Sequence, residues 1–300
     1  MILQRSPATA AVYGSVRVTN HTKLVLGSGD IVNDADGSSS NASNLVVSVS
    51  IHVRDSSGVR VQLADAPVLT VTSNEAMGSN YNFKALLDPT SAGGSYAIEA
   101  RCFLNTIGLG GETEEVKGDN RHLQDGGDDK RANRAILRDV SFGDVWYCAG
   151  QSNMALSLRY TPSRNRTLDS IRDGRYSTVR ILGMKSNMNP YQRWSSPADA
   201  VLGGTFLEYS STCWYFAEGL MDELALKGDG SEAEAEVPPI GLIHVGWGGS
   251  KIEDWLDDDA MGTCRDGCGR DNGEGFHDTR VRPFIDTTIK VNKRKNDAHQ

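Results

Sequence analysis

The chain has 300 residues, 38% of them apolar and 23% charged, a globular composition that excludes wholesale disorder. Its formal net charge of −8 at pH 7 argues against nucleic acid and against an anionic membrane surface as partners, because lysine and arginine clusters bind both. No apolar run approaches the roughly 18 residues that a membrane-spanning helix needs, and no secretory signal is visible ahead of the strand-like start Met1-Ile-Leu-Gln-Arg5.

Residues 1–140 predict β structure. Residues 45–53 end in alternating apolar and polar positions, residues 54–58 form a polar break ending in glycine, and residues 59–63 alternate again, which predicts a hairpin. Further strands are expected at residues 68–72, 81–87, 95–104 and 135–140, separated by breaks such as Ser91-Ala-Gly-Gly94 and Gly108-Leu-Gly-Gly111. Short strands at this spacing suggest an N-terminal β-sandwich-like domain. Residues 118–134 are charged and glycine-rich, the pattern of a mobile loop.

From residue 142 the pattern changes to strands alternating with helices, which predicts a parallel sheet with ligands at the carboxyl ends of its strands. A strand at residues 145–148 leads into the turn Gly150-Gln-Ser152. A second strand is expected at residues 178–183, and an irregular stretch at residues 187–200. Residues 210–226 predict the best helix, with Cys213, Phe216, Ala217, Leu220 and Leu224 on one face and a cap from Ser210, Ser211 or Thr212. A buried-type strand at residues 240–245 then enters the turn Gly246-Trp-Gly-Gly-Ser250, followed by a short helix to Trp255. Both glycine turns fall at the same sheet edge.

Ser152 is the leading candidate for chemistry. A strand, a tight turn and a helix start lift a hydroxyl out of the sheet, and free N–H groups at the helix start can hold a developing oxyanion. An ordinary turn serine or helix cap has the same local pattern, and this is not the Gly-x-Ser-x-Gly elbow. Gly249 lets a backbone N–H approach a substrate closely, or merely makes the turn. An acyl-transfer serine needs a base. Of the six histidines, His52 and His244 lie in strands, where packing is the default, and His122, three residues after Asp119, falls in a polar loop. His277 lies in a turn before Pro283 with Asp278 beside it, His299 lies in the tail, and His21 completes the six. Asp257-Asp-Asp259 reads as a solvated acidic helix end rather than a cation site, so no metal is expected.

The five cysteines include the pair Cys264 and Cys268, which could close a local disulfide or stay as free thiols. Three N-glycosylation sequons begin at Asn20, Asn41 and Asn165.

The stretch Gly143-Asp-Val-Trp-Tyr-Cys-Ala-Gly-Gln-Ser-Asn-Met154 resembles the nucleophile block of the sialate O-acetylesterase family, SGNH-type hydrolases that remove acetyl groups from sugars. Ile240-Gly-Leu-Ile-His-Val-Gly-Trp-Gly-Gly-Ser-Lys-Ile-Glu-Asp-Trp255 resembles the family's glycine block, with Ser250 where the family has threonine. Met1-Ile-Leu-Gln-Arg-Ser-Pro7, the segment from Leu87 to Gly94, and Arg282-Pro-Phe-Ile-Asp-Thr-Thr-Ile-Lys290 also resemble family segments. The resemblance implies a flavodoxin-like parallel sheet with flanking helices behind the β domain. It implies Ser152 as nucleophile, the N–H groups of Ser152 and Gly249 as oxyanion donors, no cofactor, an O-acetylated carbohydrate as substrate, and a secreted or lysosomal location. After residue 290 the family continues into a Gln-Gly-Glu block and an Asp-x-x-His block, whereas this chain has a polar tail at residues 291–300. The expectation is therefore an N-terminal domain over residues 1–140, an incomplete hydrolase domain over residues 141–290, and a C-terminally truncated chain without its His/Asp part. The alternative is a non-catalytic carbohydrate-binding or interaction fragment.

Overall fold

The computed structural model describes residues 1–6, 8–20, 23–26, 44–72, 80–107, 113–115, 134–183, 193–227, 237–262, 275–285 and 289. The chain divides into two compact units, one of Met1–Ala10, Pro89–Gly93 and Ser141–Gln300, the other of Ala11–Asp88 and Gly94–Val140. The loop expected at residues 118–134 lies almost wholly outside the described residues, and so do Cys264, Cys268, His21, His122, His299 and the tail.

Strand β1 (Ile2–Gln4) belongs to the first unit. The second, β-rich unit holds β2 (Ala10–Asn20), β3 (Lys23–Leu26), β4 (Asn44–Arg54), β5 (Arg60–Thr72), β6 (Asn80–Leu87), β7 (Gly93–Ile107), β8 (Thr113–Glu115) and the start of β9 (Arg134–Cys148). β4 pairs antiparallel with β5 on one side and β7 on the other, and β3-β2-β6 form a separate sheet. The predicted hairpin is β4–β5. Its turn is held by Asp55, whose carboxylate accepts the N–H groups of Ser57 and Val59, each at 3.0 Å. Residues 59–63 and 68–72, expected as two strands, fall in one strand, β5. The register shifts between Val47 and Val49 and passes over Pro67, so the proline, which has no N–H to give, sits at an irregularity instead of ending the strand. Ile51, Val53 and Ile98 are buried in this unit. Glu99 is buried too, and Arg54, Arg101 and Arg134 pair with its carboxylate.

β9 also merges two predicted strands, residues 135–140 and 145–148. Glycine at 143 does not break it, because the backbone there is engaged on successive partners. Ser141, Phe142 and Gly143 pair in parallel with β1, and Asp144 to Cys148 pair in parallel with β11 (Ile240–His244). Arg5 grips the buried Asp144 with both Nε, at 2.8 Å, and an Nη, at 3.3 Å.

In the first unit β10 (Val179–Gly183), β11 and β9 lie in that order, all parallel, giving the α/β class expected. The helices are α1 (Ser152–Ala155), α2 (Arg164–Arg172), α3 (Pro197–Leu202), α4 (Ser211–Lys227) and α5 (Asp258–Gly262). One core cluster joins Val179, Ile181, Ile240 and Leu242 to Trp214, Ala217 and Phe206. A second joins Ile2, Val145, Ile243 and Val245 to Tyr147, Trp255 and Phe284. This split follows from the alternation of side chains along each strand.

Helix α3 corrects the irregular reading of residues 187–200. Ser196 accepts the Asp199 N–H at 3.0 Å and Pro197 occupies the first turn, two standard start signals for a helix. Helix α4 begins where expected, with Ser210 Oγ accepting the Cys213 N–H at 3.1 Å. Its buried face is rotated from the expected one. Phe216 is 42% exposed, while Trp214 is fully buried. Trp214 Nε1–H donates to Glu218 at 2.9 Å and its ring meets Phe206 edge-on at 4.8 Å, so an indole with a buried acceptor takes the inward position. Among the described residues no helix is long and apolar enough to cross a membrane.

Candidate active site

The parallel register puts Cys148, His244 and Gly183 level at the carboxyl ends of three adjacent strands. The chain leaves two of these ends through the two glycine turns. They remain stitched together beyond the strands, with the Val245 N–H donating to the Cys148 carbonyl at 3.0 Å and the Trp247 N–H to the Gly150 carbonyl at 2.9 Å. The turns identified separately in the sequence, Gly150-Gln-Ser152 and Gly246-Trp-Gly-Gly-Ser250, are thus hydrogen-bonded neighbours.

Ser152 opens α1, a single turn closed by the Ala155 N–H on the Gln151 carbonyl at 2.9 Å. Ser152 is exposed, and its hydroxyl donates to the Gln151 side-chain oxygen. Gly150 and Gly249 have φ of +145° and +77°, values that a residue with a Cβ adopts only at a cost. A Cβ on Gly249 would project into open space, so its backbone faces an unfilled region. Beyond it, Ser250 Oγ donates to the Trp247 carbonyl at 2.8 Å and accepts the Trp255 indole N–H at 3.0 Å, which fixes the glycine loop from behind.

Helix α1 is held by polar contacts from two elements. Thr212 Oγ1 donates to the Asn153 carbonyl at 2.8 Å, and the Ser211 N–H to the Leu156 carbonyl at 2.8 Å. His244 Nε2 meets the Met154 carbonyl at 3.0 Å. Facing a carbonyl, that nitrogen must carry the proton. His244 is buried, with its ring 5.5 Å from that of Tyr209. Burial brings its pKa down from 6.5 to about 4, so the imidazole is neutral at pH 7. It is the packed, hydrogen-bonded strand histidine expected. Gly246 fits against it because a Cβ there would lie 2.9 Å from His244 Nε2 and 3.1 Å from the Met154 carbonyl carbon.

A disulfide between Cys148 and Cys213 closes the same joint, linking the strand that precedes Ser152 to the first turn of α4. The sequence pointed instead to Cys264 and Cys268, which lie outside the described residues. The spacing of 65 residues carries no local signal. The available clues were only that Cys148 ends a strand just before the turn and that Cys213 lies on the apolar side of a helix.

Among the described residues, no histidine hydrogen-bonds Ser152. His52 meets Ser50 Oγ at 3.0 Å, His244 is engaged by Met154, and His277 Nδ1 lies 3.4 Å from Asp278. His277 belongs to a segment that packs on the glycine block. Phe276 stacks obliquely on Trp247 and Trp255, at 5.3 and 5.5 Å. The buried Arg280 guanidinium lies 4.3 Å from the centre of the Trp247 ring and donates to the Val245 carbonyl at 2.9 Å. Asp257 caps α5 through the Ala260 N–H at 2.7 Å, in keeping with a helix-end role. Among the described residues no group of His, Cys, Asp and Glu side chains is arranged to hold a metal ion.

No protein-family model matches the chain. Curated relatives named sialate O-acetylesterase do match. Those of Pongo abelii and Homo sapiens are each 33% identical over 138 residues, covering 43% of this chain and 24% of theirs. The Rattus norvegicus protein of that name is 27% identical over 197 residues, covering 62% of this chain and 29% of its own. The chain is similar, over part of its length, to the sialate O-acetylesterase family. It spans about a quarter of the length of these family relatives. The fold agrees with a solved carbohydrate acetylesterase from Xanthomonas citri, which superimposes with a TM-score of 0.50 at 19% identity, over 96% of this chain and 46% of that one.

Proposed function

We propose that the first unit carries the nucleophile side of a serine esterase that removes O-acetyl groups from sugars such as sialic acids. The observation that carries this reading is the Trp247 N–H bond to the Gly150 carbonyl at 2.9 Å, which makes the serine turn and the glycine turn neighbours at one sheet edge. In this reading Ser152 Oγ attacks the acetyl carbonyl and gives its proton to a base. The N–H groups of Ser152 and Gly249 hold the oxyanion, the ester C–O bond to the sugar breaks, and water then releases acetate from the acyl-serine. The names of the relatives support the substrate class, an O-acetylated carbohydrate. No metal or cofactor takes part. The β-rich unit is read as an accessory β-sandwich, and the first unit as an SGNH-type hydrolase domain. The Cys148–Cys213 disulfide supports an oxidising compartment, either secreted or lysosomal.

Because no described histidine touches Ser152, slow turnover is expected of this chain, since losing triad members removes several orders of magnitude in rate. The test is hydrolysis of an aryl acetate and of an O-acetylated sialic acid by the wild-type chain and by Ser152→Ala. Slow hydrolysis abolished in the variant supports the reading; hydrolysis unchanged in the variant overturns it. The same absence favours a second reading, a chain that binds acetylated glycans without cleaving them. That reading requires glycan retention that survives Ser152→Ala, and a complete lack of glycan binding would remove it.

A further inference from the structure

We infer that Arg280 is a positioning residue of the esterase site: it locks the glycine turn against the serine turn and so fixes the Gly249 N–H relative to Ser152. The chemical part of this inference rests on the reading of Ser152 as nucleophile and Gly249 as oxyanion donor; the structural part stands without it.

Arg280 lies near the end of the π-helical turn His277–Val281, which the Arg282 N–H closes on the His277 carbonyl. A carbonyl at a helix end needs a partner from outside the helix. Tyr147 supplies it, its hydroxyl donating to the Arg280 carbonyl at 2.8 Å. Burial pushes the pKa of that hydroxyl up to about 12, so it keeps its proton and stays a donor. Tyr147 belongs to β9, the strand that leads into the serine turn. The main chain of Arg280 is therefore tied to the serine strand.

Its side chain is tied to the glycine strand. The buried guanidinium donates through Nη1 to the Val245 carbonyl at 2.9 Å, where β11 passes into the glycine turn. The Val245 N–H donates to the Cys148 carbonyl at 3.0 Å, so both polar groups of Val245 are engaged. The guanidinium also lies 4.3 Å from the centre of the Trp247 ring and 5.0 Å from that of Phe276. Trp247 is then held on three sides. Its ring rests on Arg280, its N–H donates to the Gly150 carbonyl at 2.9 Å, and its own carbonyl accepts Ser250 Oγ at 2.8 Å. Gly249 sits between Trp247 and Ser250 in the chain, and its φ of +77° belongs to the residue type most able to swing its peptide elsewhere. Pinning both flanks removes that freedom. Lysine could not replace Arg280, because an ammonium offers neither the planar fork nor a flat face for the indole.

The test compares the whole chain as wild type, Arg280→Lys and Arg280→Ala, each with and without free guanidinium at concentrations too low to unfold it. The first readout is exchange of the Trp247 amide hydrogen, and the second is the single-turnover rate of Ser152 acetylation over a range of aryl acetate concentrations. In Arg280→Ala the Trp247 N–H should exchange about 10-fold faster, while the Ile181 N–H, bonded to the Ser195 carbonyl at 2.9 Å, keeps its wild-type rate. Acetylation at saturation should fall by about 10-fold to 10²-fold, with the half-saturating concentration unchanged. Guanidinium should restore part of both losses, and Arg280→Lys should fall between Arg280→Ala and wild type. If Arg280→Ala does not fold, Arg280→Lys carries both readouts. Wild-type exchange at Trp247 in the folded variants overturns the proposal, and so does an unchanged acetylation rate where the wild-type chain acetylates Ser152. A wild-type chain that leaves Ser152 unmodified removes the esterase reading instead, and the exchange rates still decide whether Arg280 holds the turn.

Discussion

His244 Nε2–H donates to the Met154 carbonyl at 3.0 Å and so ties the end of the central parallel strand to the helical turn that begins at Ser152. Only a neutral, well-buried imidazole is compatible with its surroundings. Burial lowers its pKa to about 4, against 6.5 for the free side chain. Between those two values the unfolded chain binds a proton that the folded chain does not, so stability falls as pH drops through that window. The full effect is on the order of 3 kcal/mol. Denaturant midpoints measured from pH 7 to pH 4 should drop more steeply for wild type than for His244→Gln, which retains a donor but does not titrate. Equal slopes would show that His244 is not the group responsible.

The Cys148–Cys213 disulfide encloses a loop with a sequence separation of 65 residues. Loop-closure entropy then predicts a loss of about 4 kcal/mol on reduction or in Cys213→Ser. Thermal melts with and without a thiol reductant check this, and the Cys213→Ser melt should become insensitive to the reductant.

Glu218 is a buried carboxylate that satisfies Thr167 and Trp214 at once, at 3.0 and 2.9 Å. Glu218→Ala strands two buried donors and should cost about 3 kcal/mol, whereas Glu218→Gln, which keeps an acceptor, should cost less. Chemical unfolding of both variants measures the difference.

Gly249 has φ of +77° with open space where a Cβ would project. Gly249→Ala should therefore cost only about 1 kcal/mol of stability. If its N–H is an oxyanion donor, the tilt of the backbone should slow acetylation of Ser152 by up to about 10²-fold. A melt and a single-turnover acetylation assay together separate the two effects, and an unchanged acetylation rate would remove Gly249 from the oxyanion site.

The sheet edge was legible in the sequence because two strand-then-glycine patterns each carry their own local signal, at residues 145–152 and 240–250. Strand β9 was not, because glycine at 143 reads locally as a break, while in the fold its neighbours pair with β1 and then β11. The inward turn of Trp214 depends on Glu218 one helical turn later and on Phe206 outside the helix, so an apolar count could not find it. The clamp on α1, built from Thr212, Ser211, His244 and the disulfide, joins residues that sequence separation keeps far apart.

The most direct test of the central claim is covalent. The chain is mixed with a fast aryl acetate, quenched within one turnover, digested and mapped by mass spectrometry. The account predicts a single acetyl group on Ser152, absent in Ser152→Ala and unaffected in His52→Ala. Acetyl transfer to other residues at an unchanged rate in Ser152→Ala would contradict it.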